Sequence, residues 1–474
     1  MNNIDRFITH FQESQSNILF RTKNKINFSY GSFWKNALRL ANKWSDSGLK
    51  KGNIVVLNMD NDISIPCAIL ACAIGGFAVC PIVDKKMLNG IIAELNPSLI
   101  INKKIDLDNN IHMEEGDSYD VSHKKNDYFL INFTAGSTGE PKIMCHGLEQ
   151  IICSAYSFSK QSGFDKNTVL FHVLPMAYMA GILNTFFALM VSGSRIVEGP
   201  LFSPANALNF FEIALENKVN TLSITPSIAS LLIFITRSED LIKKIRNKIV
   251  KVQSTSSYIP ISTREDFSKK FGLPLLDCYG ITELGGPLTV QNHNDSANML
   301  EFSTPVPGIK FITKGKNNNE LWIKSPFSML GYIDKGKLYT KQDKEGYIDT
   351  GDLAEIKEGK LKIIGRKKDI IIRGGINISP SKLESELTLL PFVSEVAIVG
   401  VEHKFWGEVI VACIVPLDGE VIHKQKIFSF SKEIFLDYEQ LDEVVFLDKL
   451  PRSFIGKILK NELKEMISNK ITRH

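Results

Sequence analysis

The chain of 474 residues is 44% hydrophobic and 23% charged, with a formal net charge of +4. That length holds roughly three domain-sized units with ample core. So small a basic excess, with no lysine-rich block interleaved with aromatics, argues against a nucleic-acid partner.

In chain order, MNNIDRFITHFQES has no basic segment leading into an apolar run, so no signal peptide is expected. GSFWKNALRLANKWSDSG repeats apolar residues at helical spacing, and the strand-like NIVVLNM follows it. Residues 64–83, SIPCAILACAIGGFAVCPIV, tempt a membrane assignment. Pro66, Gly75, Gly76 and Pro81 break the run, which reads instead as a buried helix, a Gly-Gly turn and a buried strand. MAGILNTFFALMVSG, at 179–193, is too short to span a bilayer comfortably, and no transmembrane segment is expected. SPANALNFFEIALENKV reads as one helix, TLSITPS as a strand and IASLLIFIT as another helix. This alternation predicts parallel sheets with helices on their faces.

From about Glu320 the pattern changes to strands and hairpins: ELWIKS, then DLAEI and KLKII around the turn Lys357–Lys360. Beyond Gly365-Arg-Lys-Lys-Asp369 a compact α+β pattern takes over. It comprises a helix near Ser381–Leu390, strands SEVAIVGV, EVIVACIVPL and EVVFLD, and the closing helix ILKNELKEMISNK. The change of style sets the expected domains at 1–365 and 369–474, joined near Lys368. Seven cysteines (67, 72, 80, 145, 153, 278 and 413) form no Cys-x-x-Cys pair and are odd in number, which favours reduced thiols and a cytoplasmic protein.

Several stretches carry chemistry. INFTAGSTGEPK ends a strand-like run in Thr134, Gly136, Ser137, Thr138, Gly139 and Lys142. Such a loop can lay N–H groups and hydroxyls around a phosphate, with the lysine adding a point charge. It lacks the Gly-Lys-Ser/Thr ending of the Walker loop, and taken alone it is equally a surface turn. DCYGITELGG (277–286) brings Asp277, Tyr279, Gly280, Thr282, Glu283 and Gly285 together after LPLL. A tyrosine ring stacks on a base, a threonine hydroxyl donates to phosphate and a glutamate holds Mg²⁺. The alternative is an ordinary strand-end turn. YIDTGDLA offers Asp352 for ribose hydroxyls or for turn chemistry. GRKKDIIIRGG supplies Arg366, Lys368, Gly374 and Gly375, and PRSFIGKILK places Lys457 before the last helix.

The order and spacing of TAGSTGEPK, YGITE, TGD, GRKKD and PRSFIGK resemble the adenylate-forming ANL superfamily, which includes the AMP-dependent acyl-CoA synthetases. The resemblance runs from the FSYGSFW region to Lys457. It implies an α/β fold: a large N-terminal domain of parallel βαβ subdomains with a small β-barrel-like region, and a small mobile α+β C-terminal domain. It implies ATP and Mg²⁺, with CoA or the phosphopantetheine of a carrier protein as thiol acceptor. The loop 134–142 is then similar to the one holding the β- and γ-phosphates. Tyr279 resembles the residue stacking on adenine, and Asp277 the one meeting its amino group. Thr282 and Glu283 resemble the α-phosphate contact and the Mg²⁺ ligand. Asp352 resembles the ribose ligand, with Arg366 near the same sugar. Lys457 resembles the lysine reaching the reacting carboxylate, Lys368 the hinge, and Gly374 and Gly375 the loop lining the acceptor tunnel.

The chain departs from the family where Ile143-Met144-Cys145-His146-Gly147 follows Lys142, so His146 is assigned no role by resemblance. LPMAYMAG resembles the family's Pro-x-x-His-x-x-Gly element, with Tyr178 as gate or packing residue. Amino-acid-activating members pair the substrate ammonium with an aspartate there. Ala177, Tyr178, Met179 and Ala180 offer no charge, and burying an ammonium unpaired is costly. The expected substrate is a neutral fatty or aryl carboxylic acid, with Gly285 and Gly286 leaving space near the reacting centre. The leading expectation is an acid–CoA ligase without an appended carrier domain. The alternatives are a carrier-loading acyl-adenylate synthetase and, more remotely, a non-catalytic nucleotide-binding relative, which should have lost Lys457 or Glu283.

Overall fold

A computed structural model describes residues 2–82, 88–124, 126–134, 142–291, 302–315, 319–334, 336–390, 392–417, 423–452 and 458–471. They form two compact units, one of Met1–Ser256, Lys270–Lys310 and Ile323–Ile348, the other of Ser257–Lys269, Phe311–Trp322 and Asp349–His474. The second unit therefore takes in chain from Asp349 onward, earlier than the 365–370 boundary suggested by the change of sequence style.

Two mixed sheets organise the first unit. One runs in the order Lys337–Tyr339, Gly331–Asp334, Lys142–His146, Leu130–Thr134, Ala78–Pro81, Ile54–Leu57 and Leu99–Ile101. Its last four strands are parallel. The helix Ser64–Gly75 makes one crossover between them. It is apolar all round because it is buried all round, and it ends at Gly76, whose φ of +73° is the left-handed conformation glycine adopts freely. Among the described residues no helix is long and apolar enough to cross a membrane.

The second sheet has a parallel centre, from Leu275–Ile281 through Lys251–Ser254, Thr221–Ile224, Val169–His172 and Arg195–Glu198 to Ile18–Arg21. Antiparallel partners close it at either end. Parallel βαβ layering thus holds at the sheet centres, and hairpins finish the edges. The stretch expected as one helix at 203–219 is two, Pro204–Ala207 and Phe210–Glu216. Asn206 Oδ1 accepts from Ser203 N–H and its amide donates to Leu201 O, a local alternative to continued helix. The apolar run after Met179 forms a wide-turned π-helix over Ala180–Phe187.

The strands Lys310–Lys314, Glu320–Lys324, Ile348–Lys357 and Lys360–Arg366 form a four-stranded sheet in that order. The C-terminal sheet is built on the long pair Val393–His403 and Gly407–Pro416. Alternate residues face opposite ways, so Val396, Ile398, Ile410 and Ala412 join one core while Ala397, Val399, Val411 and Cys413 join another. Both faces are covered, which is why SEVAIVGV reads as nearly continuous apolar sequence.

Candidate active site

The strands on either side of the segment 135–141 are antiparallel partners. Leu130–Thr134 and Lys142–His146 pair antiparallel with Thr134 opposite Lys142, so these two residues flank the base of the segment 135–141. Gly136, Ser137, Thr138 and Gly139 lie outside the described residues, as does Lys457. Next in the sheet, Gly331–Asp334 pairs with Lys142–His146, setting Tyr332 opposite Met144.

The stretch 277–286 comprises the end of a strand, a tight turn and the start of the returning strand. The strand runs on from Leu275 to Ile281, a single 3₁₀ turn covers Thr282–Leu284, and the chain returns antiparallel as Gly286–Val290. Asp277 N–H donates to Gln291 Oε1 at 2.8 Å, and Tyr279 stands opposite Thr289. Gly280 has no room for a side chain, since a Cβ there would sit 2.2 Å from Gly286 O.

Four successive carbonyls of this turn are anchored from three segments: a strand, a helix and the loop 325–330. Thr282 O accepts from His146 Nε2 at 2.8 Å and Glu283 O from Met329 N–H at 3.0 Å. Leu284 O accepts from Ser325 Oγ at 3.0 Å and Gly285 O from Ser154 Oγ at 2.8 Å. The side chains of Thr282 and Glu283 are therefore carried on a backbone fixed by its neighbours. The Glu283 carboxylate is oriented in turn: Tyr332 donates its hydroxyl to Oε1 at 3.1 Å. Burial, then Glu283, holds the Tyr332 phenol protonated by raising its pKa. Lys142 Nζ lies 5.8 Å from the Tyr332 ring centroid and Lys341 Nζ 5.4 Å. Burial and then the Lys142 ammonium lower the Lys341 pKa, with Glu283 opposing them.

His146, assigned no role by resemblance, proves to be an anchor. It is fully buried, and burial lowers its pKa to about 4, so the ring is neutral and donates Nε2–H to Thr282 O. Tyr332 is equally inconspicuous in the sequence. Its only signal there is its place after the glycine of SMLGYID, which shows no link to Glu283. All seven cysteines are free, and burial raises the pKa of each, so none is a thiolate nucleophile.

The two glycines expected to open space do not. A Cβ on Gly285 would meet Phe327 O at 2.3 Å, and one on Gly286 would meet Met179 Cγ at 3.0 Å. Both also carry positive φ, +87° and +97°. They serve close packing, and Met179 fills the space beside Gly286. Tyr178 is half-buried and its carbonyl accepts from Gly181 and Ile182 N–H, starting the π-helix. The segment 174–190 holds no ionisable acid or base apart from Tyr178. Its buried polar residues are Asn184, whose amide lies 3.9 Å from Cys278 Sγ, and Thr185, hydrogen-bonded to Gly181 O.

In the second unit Asp352 and Arg366 stand opposite each other in register and form an ion pair, Nε to Oδ1, at 2.8 Å. Asp352 lies within the strand Ile348–Lys357 and is 1% exposed. Its carboxylate is thus engaged with Arg366. Lys368 is exposed in the 3₁₀ turn Lys367–Asp369, beside Lys367, which bonds Glu320 at 2.5 Å. Gly374 and Gly375 form the two-residue turn between Ile371–Arg373 and Ile376–Ile378, with φ of +57° and +83°. Gly374 N–H donates to Trp406 O at 2.8 Å. Trp406 and Phe405 are 51% and 82% exposed, an aromatic tip beside the Gly-Gly turn that the sequence reading passed over.

Known proteins bear on this arrangement. A family model for the AMP-binding enzymes matches residues 10–333, and one for their C-terminal domain matches 382–457. The indoleacetate–CoA ligase of Aromatoleum aromaticum is 27% identical over 353 residues, 72% of this chain and 68% of that protein. The long-chain-fatty-acid–CoA ligase FadD13 of Mycobacterium tuberculosis is 25% identical over 480 residues, 94% of each. Among solved structures, the ATP-bound MatB of Rhodopseudomonas palustris superposes with a TM-score of 0.86 at 22% identity, covering 99% of both chains. The chain belongs to the AMP-binding enzyme family of the ANL adenylate-forming superfamily and is an AMP-forming acid–thiol ligase.

Proposed function

We propose that this protein joins ATP and a neutral fatty or aryl carboxylic acid into an acyl-adenylate and passes the acyl group to CoA. The observation that carries the reading is the anchored turn 282–286, which presents Thr282 and a Tyr332-oriented Glu283 beside Lys142. In the first half-reaction a carboxylate oxygen attacks the α-phosphorus, and the bond to pyrophosphate breaks with its electron pair on the leaving group. Lys142 offsets charge there, and Thr282 donates to the α-phosphate. Lys457 would stabilise the charge gathering at the reacting phosphoryl.

Glu283 fits a magnesium site. Tyr332 takes Oε1, leaving a second carboxylate oxygen. Among the described residues no cluster of three acidic, histidine or cysteine side chains competes for a metal. One protein carboxylate plus phosphates and water is how Mg²⁺ is commonly held, and the ion would supply charge neutralisation at the phosphates. Tyr279 would stack on the adenine with Asp277 and Gly280 beside it, and Asp352 with Arg366 would take the ribose. The grip on the sugar requires Arg366 to share Asp352. In the second half-reaction a thiol sulfur attacks the acyl carbon, AMP leaves with the electron pair of the C–O bond, and the thiol proton is lost to solvent. Rotation of residues 369–474 about Lys368 would present Gly374, Gly375 and the Trp406 tip to that thiol.

The neutral acid follows from the uncharged 174–190 segment, with Tyr178 and Met179 at its head. Seven reduced thiols suit the cytoplasm. The test is pyrophosphate release across a panel of fatty, aryl, dicarboxylic and amino acids, with CoA or a phosphopantetheinyl carrier protein as acceptor. Release with fatty or aryl acids and thioester on CoA is expected. Preference for an α-amino acid, or thioester on the carrier alone, would replace the respective part of the reading.

A further inference from the structure

Lys142 does not stand alone at the mouth of the hairpin. Tyr332 lies between the strands of Lys142 and Tyr339, opposite Met144 on one side and Tyr339 on the other. The Tyr339 ring stacks on it at 5.3 Å between centroids. Two residues beyond Tyr339, Lys341 brings its ammonium to 5.4 Å from the same Tyr332 centroid that Lys142 approaches at 5.8 Å. The backbone just beyond Lys341 is fixed, because Asp343 Oδ1 accepts from both Glu345 and Tyr347 N–H. Two ammonium groups and one carboxylate, Glu283, thus gather around a single phenol. Among the described residues neither lysine has an ion-pair partner.

Like charges repel, and a protein gains nothing by holding two lysines on one ring unless an anion joins them. The patch carries a surplus of positive charge next to the base of a hydroxyl-rich hairpin. A diphosphate is the anion class that matches it, since its oxygens can accept from two ammonium groups a few ångströms apart. A metal held at Glu283 would add to the same field.

We propose that Lys341 is a second cation for the β- and γ-phosphates, sharing the departing pyrophosphate with Lys142 beside the Tyr332 ring. The assignment rests on the adenylation reading, but its test does not depend on turnover. When the α-phosphorus–oxygen bond breaks, the electron pair moves onto the pyrophosphate oxygen, where both lysines face the new charge. The Tyr332 hydroxyl meanwhile orients Glu283 beside them.

The experiment is equilibrium binding of ATP, inorganic pyrophosphate and AMP to the full chain and to Lys341→Ala, Lys341→Arg and Lys142→Ala. Lys341→Ala should weaken ATP and pyrophosphate about tenfold, a typical loss for one charged contact, and change AMP less than about twofold. Lys341→Arg should retain most of the affinity, and added salt should narrow the gap between wild type and Lys341→Ala. Unchanged ATP and pyrophosphate binding in Lys341→Ala would overturn the proposal. So would an equal loss for AMP, which would make the lysine a packing residue of the Tyr332–Tyr339 stack. A wild-type protein that binds ATP and pyrophosphate in this pattern yet releases no pyrophosphate with any acid would count against adenylation and leave Lys341 where it is.

Discussion

The turn 282–286 and the segment 366–375 both carry residues of the proposed chemistry, and they are held in opposite ways. In the first, four consecutive carbonyls are anchored by His146, Met329, Ser325 and Ser154, three of them through buried or half-buried side chains. In the second, the ties are ion pairs of mixed exposure: Arg366 to the buried Asp352, Arg373 to the half-buried Asp442, and Lys367 to Glu320 at the surface. Buried hydrogen bonds to backbone fix a position tightly, because leaving them unmade is expensive. Exposed ion pairs contribute little and are readily exchanged. In the proposed reading the phosphate and metal site is held still while the connecting segment turns.

The largest effects should come from the fixed side. Glu283→Gln keeps the shape and the Tyr332 contact but removes the charge, and should lower acyl-adenylate formation at least about a hundredfold. Lys457→Ala should do the same while the protein stays folded. Near-wild-type single-turnover rates would remove either residue from the mechanism. Gly280→Ala forces a methyl into the Gly286 carbonyl and should cost about 1–3 kcal/mol in urea unfolding. An unchanged midpoint would mean that the two strands part easily.

The moving side is probed by Lys368→Pro, since proline fixes φ near −65° and blocks a backbone rotation. Acid-dependent pyrophosphate exchange should survive while thioester formation falls sharply. A folded variant making thioester at the wild-type rate would place the hinge elsewhere.

Acid sharpens the same contrast. His146 and His172 are buried, and burial depresses their pKa to about 4 and about 3 from an ordinary 6.5. The unfolded chain therefore binds these protons first, so the stability they contribute is complete above pH 6.5 and lost as pH falls towards 4. The loss should amount to a few kcal/mol across that window, and His146→Gln, which retains an N–H donor, should reduce it. Identical pH profiles for wild type and His146→Gln would show that the ring is protonated, or exposed, in the folded state. The smallest effect belongs to Lys367→Ala, which breaks only exposed ion pairs and should shift stability by less than about 1 kcal/mol.

Much of this was legible in the sequence. Gly76 and the apolar run before it announced a buried helix and its end, and the nearly continuous apolar run of SEVAIVGV announced a strand. The site was legible as local motifs, because spacing within a loop is a sequence property. Its supports were not. His146 and Thr282 are 136 residues apart, and Tyr332 and Glu283 are 49 apart, and they meet only because strand pairing brings them together. The glycines at 285 and 286 misled for a related reason. Sequence shows a missing side chain but not what occupies its place, which is Phe327 backbone in one case and Met179 in the other.

The central claim is that an anchored turn carries Glu283 into acyl-adenylate formation, independently of any thiol. Carboxylic-acid-dependent exchange of labelled pyrophosphate into ATP, measured with no CoA present, tests it most directly. The expected result is exchange in the wild type with fatty or aryl acids, falling at least about a hundredfold in folded Glu283→Gln. Exchange that needs CoA, or that proceeds equally well in Glu283→Gln, would contradict the account.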